Sequence, residues 1–65
     1  MIKVGYTKTD GTDVLHETVQ GAVNADVSIR ALQESKEGDS EVDCFYLEMQ
    51  ITDTVWEKYA SVDPL

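Results

Sequence analysis

The stretch Ile2-Lys3-Val4-Gly5-Tyr6-Thr7-Lys8-Thr9-Asp10-Gly11-Thr12-Asp13-Val14-Leu15-His16-Glu17-Thr18-Val19 decides the fold. Ile2, Val4 and Tyr6 alternate with Lys3, Gly5 and Thr7, the period of a strand with one buried face. Asp10-Gly11 comes next, and a glycine that accepts positive φ without steric cost is a strong hairpin signal. A second strand is expected over roughly Asp13–Val19, where Val14, Leu15, Thr18 and Val19 are branched or apolar. Gly21 breaks the pattern. The chain therefore opens with an antiparallel hairpin, and the next element must cover one face of it.

The cover is a helix, expected over roughly Asn24–Ser35. Asn24 suits an N-cap, Asp26 would sit in the first turn, and Gly38 is a plausible stop. Ala22, Ala25, Ile29 and Leu32 form one apolar face by their spacing. Val23, Val27 and Ala31 form a second, roughly opposite. A small sheet buries only one face of a helix, so the second face either calls for another partner, most simply a second copy of the chain, or holds Val27 and Ala31 as isolated apolar residues tolerated at the surface. On the dimer reading Val27→Asp shifts the population towards monomer.

Beyond the helix, Glu34 to Asp43 carries Glu34, Glu37, Asp39, Glu41 and Asp43 against Lys36 alone, and reads as an acidic loop. Phe45, Leu47, Met49 and Ile51 then alternate with Tyr46, Glu48, Gln50 and Thr52. This is the clearest strand of the chain, expected to lie centrally. The tail is open between two readings. Thr54-Val55-Trp56-Glu57 matches a helix capping box, with Val55, Trp56, Tyr59 and Ala60 at helical spacing; the same residues also suit a last strand. Pro64 ends any regular element. The expected class is α+β: a small antiparallel sheet in strand-strand-helix-strand order, with a short helix or strand to finish.

Thirteen acidic residues oppose five basic ones in 65 residues, a formal net charge of −8. Length allows one domain, residues 1–65. A chain this short buries about 60% of its unfolded surface, so its core is marginal and self-association is the simplest way to bury more. Cys44 is the only cysteine, so no internal disulfide forms, and one free thiol fits a reducing cytoplasm. The 42% hydrophobic content is too high for disorder. No apolar run is long enough to span a bilayer, and the charge repels anionic lipid.

Catalytic and cofactor signatures are missing: no phosphate loop, no nucleophile elbow, no zinc spacing. His16 and Cys44 are the only conceivable base–nucleophile pair, and a chain this small has little with which to enclose them. Asp39, Glu41 and Asp43 alternate like calcium ligands, but Cys44 and Gln50 stand where an EF-hand loop needs glycine and glutamate. The expectation is therefore no enzyme, no metal and no cofactor. Nucleic acid is disfavoured as a ligand, because Lys3, Lys8, Arg30, Lys36 and Lys58 are scattered within a −8 field. The same field serves plain solubility, and it also attracts a basic groove on another protein.

One run resembles a known family. Glu17, then Gly21 four residues on, then Asp26-Val27 opening the helix, match the spacing of the small dimeric uracil-DNA glycosylase inhibitors of tailed bacteriophages. The resemblance runs from the Asp10-Gly11 turn to about Ile51. It implies an acidic DNA mimic whose partner is a basic, DNA-binding host protein. The chain departs from that family where the helix has Val27 in place of an aromatic, and Ser28 and Ala31 in place of an acid and a tyrosine. Its acidic insertion Glu37–Asp43 is also longer. By the resemblance, Glu17 and Asp26 face the basic groove; by charge density, so do Glu37, Asp39, Glu41 and Asp43. Val27 and Ile29, with Tyr46 or Trp56, are the expected apolar contacts. Two other readings fit the same composition: an anti-CRISPR-type inhibitor, and a small interaction or structural subunit that inhibits nothing.

Overall fold

In the computed structural model, which describes residues 1–62, the elements are β1 (Ile2–Lys8), β2 (Asp13–Val19), α1 (Ala22–Ser35), β3 (Val42–Gln50) and β4 (Trp56–Val62). The strands form one sheet in the order β2-β1-β3-β4, every neighbouring pair antiparallel. The expected α+β class and the strand-strand-helix-strand order both hold. The tail is a strand: Thr52 Oγ1 accepts the amides of Thr54 and Val55, closing the β3–β4 turn in place of a helix cap. The expectation for Pro64 lies outside the described residues. The expected central strand, β3, shares the middle of the sheet with β1.

β2 and β3 flank β1, so α1 crosses over β1 to connect them and lies on β1, β2 and β3 alone. Its sheet-facing side buries Ala25, Ser28, Ile29 and Leu32. Ile29 and Leu32 meet Val4 and Phe45 to form the core, with Tyr6, Val19, Val42 and Leu47 packed around them. The helix starts two residues before the expected Asn24. Gly21, at φ 84°, makes the turn into it, and no side chain caps the first turn. Asn24 instead donates its side-chain amide to the Gln20 carbonyl. The earlier start carries Asp26 past the first turn, which holds no acid.

A β-bulge decides which side chains meet the helix. Val4 pairs with Glu17 and Gly5 with Leu15, leaving His16 as the extra residue of β2. Strict alternation would put Val14 and Glu17 on opposite faces. The bulge resets the phase, so both share the helix side with Val19. Without it, Glu17 would point to the open face, away from α1.

The open face is closed by its own side chains. Gly5 has room for no Cβ: one placed there would stand 2.3 Å from the Val14 carbonyl oxygen and 2.5 Å from the Tyr46 hydroxyl. The Tyr46 ring thus lies across Gly5, and Lys58 Nζ sits 4.6 Å above the ring centroid. Lys58 continues to the Asp13 carboxylate, so one side chain links edge strand β4 to edge strand β2. Lys3 bridges Glu48 at 3.5 Å and lies 4.1 Å over the Trp56 ring.

Candidate functional site

Two surfaces stand out. The first is an acidic pole. α1 ends beside the β1–β2 turn, where the Thr9 amide donates to the Glu41 carbonyl. Asp10, Glu34, Glu37, Asp39, Glu41 and Asp43 therefore gather at one end of the molecule, all of them exposed. Asp39 Oδ1 accepts the Glu41 amide and Asp10 Oδ1 the Thr12 amide, so two of these carboxylates also hold their own turns. The helix delivers the negative end of its dipole to the same place and has no basic residue in its last turn. Of the five cations, Lys3, Lys58 and Arg30 are paired elsewhere, with Glu48, Asp13 and Asp26. Lys36 lies 5.0 Å over the Tyr6 ring. Lys8 stands near Asp10, whose pKa its charge lowers, and belongs to this end with Lys36. The pole thus holds six acids against two bases, about half of the chain's net charge of −8, where the helix dipole already makes carboxylates unfavourable.

The second surface is a groove of about 420 Å³ between α1 and β2. Val19, Val27 and Ala31 supply apolar walls; Gln20 and Asn24 stand with them, and Ser28 and Glu17 form a polar contact. The Ser28 hydroxyl, on a buried residue, donates to Glu17 Oε2, and His16 Nε2 lies 3.8 Å from the same oxygen. Two expected site residues, Glu17 and Val27, are therefore brought together. Asp26 is exposed and paired with Arg30 one turn on, at 3.1 Å. Val23 and Val27 are 78% and 62% exposed, so the second helix stripe is real and uncovered.

Two expected contacts are corrected. Ile29 is 6% exposed and belongs to the core, because it points at the sheet with Leu32. Tyr46 is also 6% exposed, pinned between Gly5 and Lys58; its burial, then the nearby Asp13 charge, raise its hydroxyl pKa. Neither offers a surface to a partner. Sequence reasoning missed Ser28, Gln20 and Asn24 in the groove. Ser28 carried a signal, since it stands three residues after Ala25 and four before Leu32 on the core-facing side.

His16 and Cys44 stand on β2 and β3, with β1 between them. Among the described residues, no three His, Cys, Asp or Glu side chains cluster as a metal site, and no helix is long and apolar enough to cross a membrane. No protein family, curated protein or solved structure matches the chain.

The charge layout fixes how stability depends on pH. Hydrogen bonds from Lys58, then Thr7, hold the Asp13 carboxyl below its usual 3.8, and the Thr12 amide does the same for Asp10. Stability from such groups is complete above the usual value and lost as pH falls through the lower folded one. The same contact raises Lys58 above 10.5, so its share is lost only in strong alkali, as pH passes the folded value. The melting temperature is expected to fall as pH drops below about 4. It should rise between low salt and about 0.5 M salt, as screening weakens the self-repulsion of a −8 chain. Thermal melts across pH and salt check both; a steady fall with salt means that ion pairs outweigh repulsion.

Proposed function

We propose that the chain is an acidic inhibitor that occupies the DNA-binding groove of a host DNA enzyme, with uracil-DNA glycosylase the leading target. The observation that carries this reading is the acidic pole. Six exposed carboxylates gather at the negative end of a helix. Exposed charge of one sign gathered in one place suits an outward use, and a basic groove shaped for phosphates is its natural complement. The arrangement of Glu17 and Val27 in one groove supports the second half of the reading, an apolar and polar contact beside the charged one. In this reading the chain is not an enzyme, needs no cofactor, and acts in the host cytoplasm.

The test is binding to purified uracil-DNA glycosylase with duplex DNA as competitor. Saturable binding that weakens with salt and is displaced by DNA is the expected result. No binding eliminates this target. Binding that DNA does not displace eliminates mimicry of the DNA groove.

The reading includes a homodimer, and a second exposed surface supports it. α1 leaves β4 uncovered, so Met49, Ile51, Val55 and Tyr59 stay exposed around the β3–β4 end of the sheet. Exposed apolar side chains at one end of so small a domain offer an interaction surface. Placing the second copy there leaves the Val27 stripe and its groove for the target. Sedimentation at micromolar concentration should then give twice the 7.2 kDa chain mass. Tyr59→Glu should dissociate it, because it puts a charge into an apolar contact, while Val27→Asp should not. The opposite pattern assigns the dimer to the helix stripe. The same patch favours the second reading, a subunit that assembles and inhibits nothing; retention of dimerisation with no enzyme bound from any basic DNA-binding partner supports it.

A further inference from the structure

We propose that the groove between α1 and β2 is a receptor for one arginine side chain presented by the protein partner. The proposal rests on Glu17 and Val27 forming a partner contact, and its test uses no DNA enzyme, so the two readings can fail separately.

The groove is open along its length and has room for a side chain. Its volume of about 420 Å³ lies near the low end of the roughly 300–1,000 Å³ of small-molecule pockets. The chemistry then selects among side chains. Val19, Val27 and Ala31 offer apolar walls to an aliphatic stem. Glu17 offers a carboxylate held in place by the Ser28 hydroxyl, and no lysine or arginine pairs with it among the described residues. An acidic occupant is repelled by Glu17 and by the −8 field of the chain. An apolar occupant satisfies the walls but desolvates the carboxylate without pairing it, which is costly. Lysine brings a strongly hydrated point charge. Arginine brings a planar fork that binds a carboxylate through two parallel bonds and is more weakly hydrated, so it loses less on entering. Side-chain carbonyls of Gln20 and Asn24 add acceptors at the rim; the Asn24 amide nitrogen is already committed to the Gln20 backbone, which leaves its oxygen to accept.

The experiment is an amide NMR titration of the full chain with the blocked peptide Gly-Gly-Arg-Gly-Gly, against the same peptide with citrulline or leucine in the third place. Citrulline keeps the shape of arginine and removes the charge. The expected result is saturable shifts at Gln20, Val27, Ser28 and Ala31 with the arginine peptide, weakened by salt. Citrulline should bind about tenfold more weakly, the scale of one lost charge-assisted contact. Glu17→Gln should weaken the arginine peptide by a similar factor while its spectrum stays dispersed, because the glutamine carbonyl still accepts from Ser28. Equal shifts with the leucine peptide overturn the proposal and assign the groove to an apolar anchor. Equal affinity for arginine and citrulline overturns it without any variant, as does the absence of saturable shifts with the arginine peptide.

Discussion

Gly5→Ala is expected to cost about 3 kcal/mol of stability, at the upper end of what overpacking costs. Gly5 lies on β1, a central strand, paired with Leu15 of β2 just past the bulge and with Tyr46 of β3. The added methyl would meet the Val14 carbonyl oxygen at 2.3 Å and the Tyr46 hydroxyl and ring carbon at 2.5 and 2.6 Å. The tyrosine can swing away, at the loss of its packing and of the Lys58 contact above it. The carbonyl cannot move without opening the β1–β2 ladder. A domain of this size loses roughly 4–8 °C of melting temperature per kcal/mol, so the midpoint should fall by about 15 °C. Thermal melts monitored by circular dichroism check this. Tyr46→Ala in the same chain should not restore the midpoint, because the backbone clash remains. Gly11→Ala provides the contrast: it has no atom within 4 Å of its would-be Cβ, and only its φ of 90° opposes a side chain. That substitution should cost about 1 kcal/mol. Equal losses at the two glycines would show that close approach across the open face does not govern Gly5.

Gly5 also shows where sequence reasoning stops. Alternation from Ile2 to Tyr6 made β1 legible, and Gly5 fell in it as an ordinary outward position. Nothing in the sequence says that Tyr46, forty-one residues on, would lie across it, because cross-strand packing depends on which strand becomes its neighbour. The hairpin, the helix and β3 were legible for the same reason as β1: each carries a periodicity of its own. The bulge at His16 carries none. It is a property of the β1–β2 pairing, yet it decides that Glu17 faces α1 and meets Ser28. The tail was ambiguous because a capping-box spacing and a turn that borrows a threonine hydroxyl look alike over four residues; the pairing of Leu47 with Tyr59 and of Gln50 with Trp56 settles it as a strand. Ile29 and Tyr46 were misplaced as contacts for a related reason. Their apolar character was visible, but whether they point to solvent or to a neighbour is set by the sheet order β2-β1-β3-β4. The acidic stretch was legible in number but not in placement, since only the fold brings Asp10 of the hairpin turn alongside Glu41.

That placement leads to the largest expected effect on binding. The four-fold variant Glu37→Gln, Asp39→Asn, Glu41→Gln, Asp43→Asn should slow association with a basic DNA-binding partner by at least about tenfold at low salt, within the range that electrostatic steering supplies. The substitutions spare the fold. All four side chains are exposed, and the hydrogen bond from the Glu41 amide to Asp39 Oδ1 survives with an asparagine carbonyl as acceptor. Relief of repulsion at the helix C-terminus should raise the melting temperature of the same variant. Function and stability are thus expected to move in opposite directions, which separates a binding role from a structural one. Dissociation should change much less, because exposed rim charges act mainly on encounter. Truncating an apolar anchor does the reverse: Val27→Ala should leave association near its original rate and speed dissociation, by about 2 kcal/mol if it is a hot spot. Stopped-flow association against uracil-DNA glycosylase, from low to physiological salt, reads both effects. The slope of the association rate against salt should flatten in the four-fold variant and stay unchanged in Val27→Ala. A four-fold variant that associates as fast as the unmodified chain, with the same salt slope, would remove the acidic pole from the contact and leave the groove beside Glu17 as the binding surface.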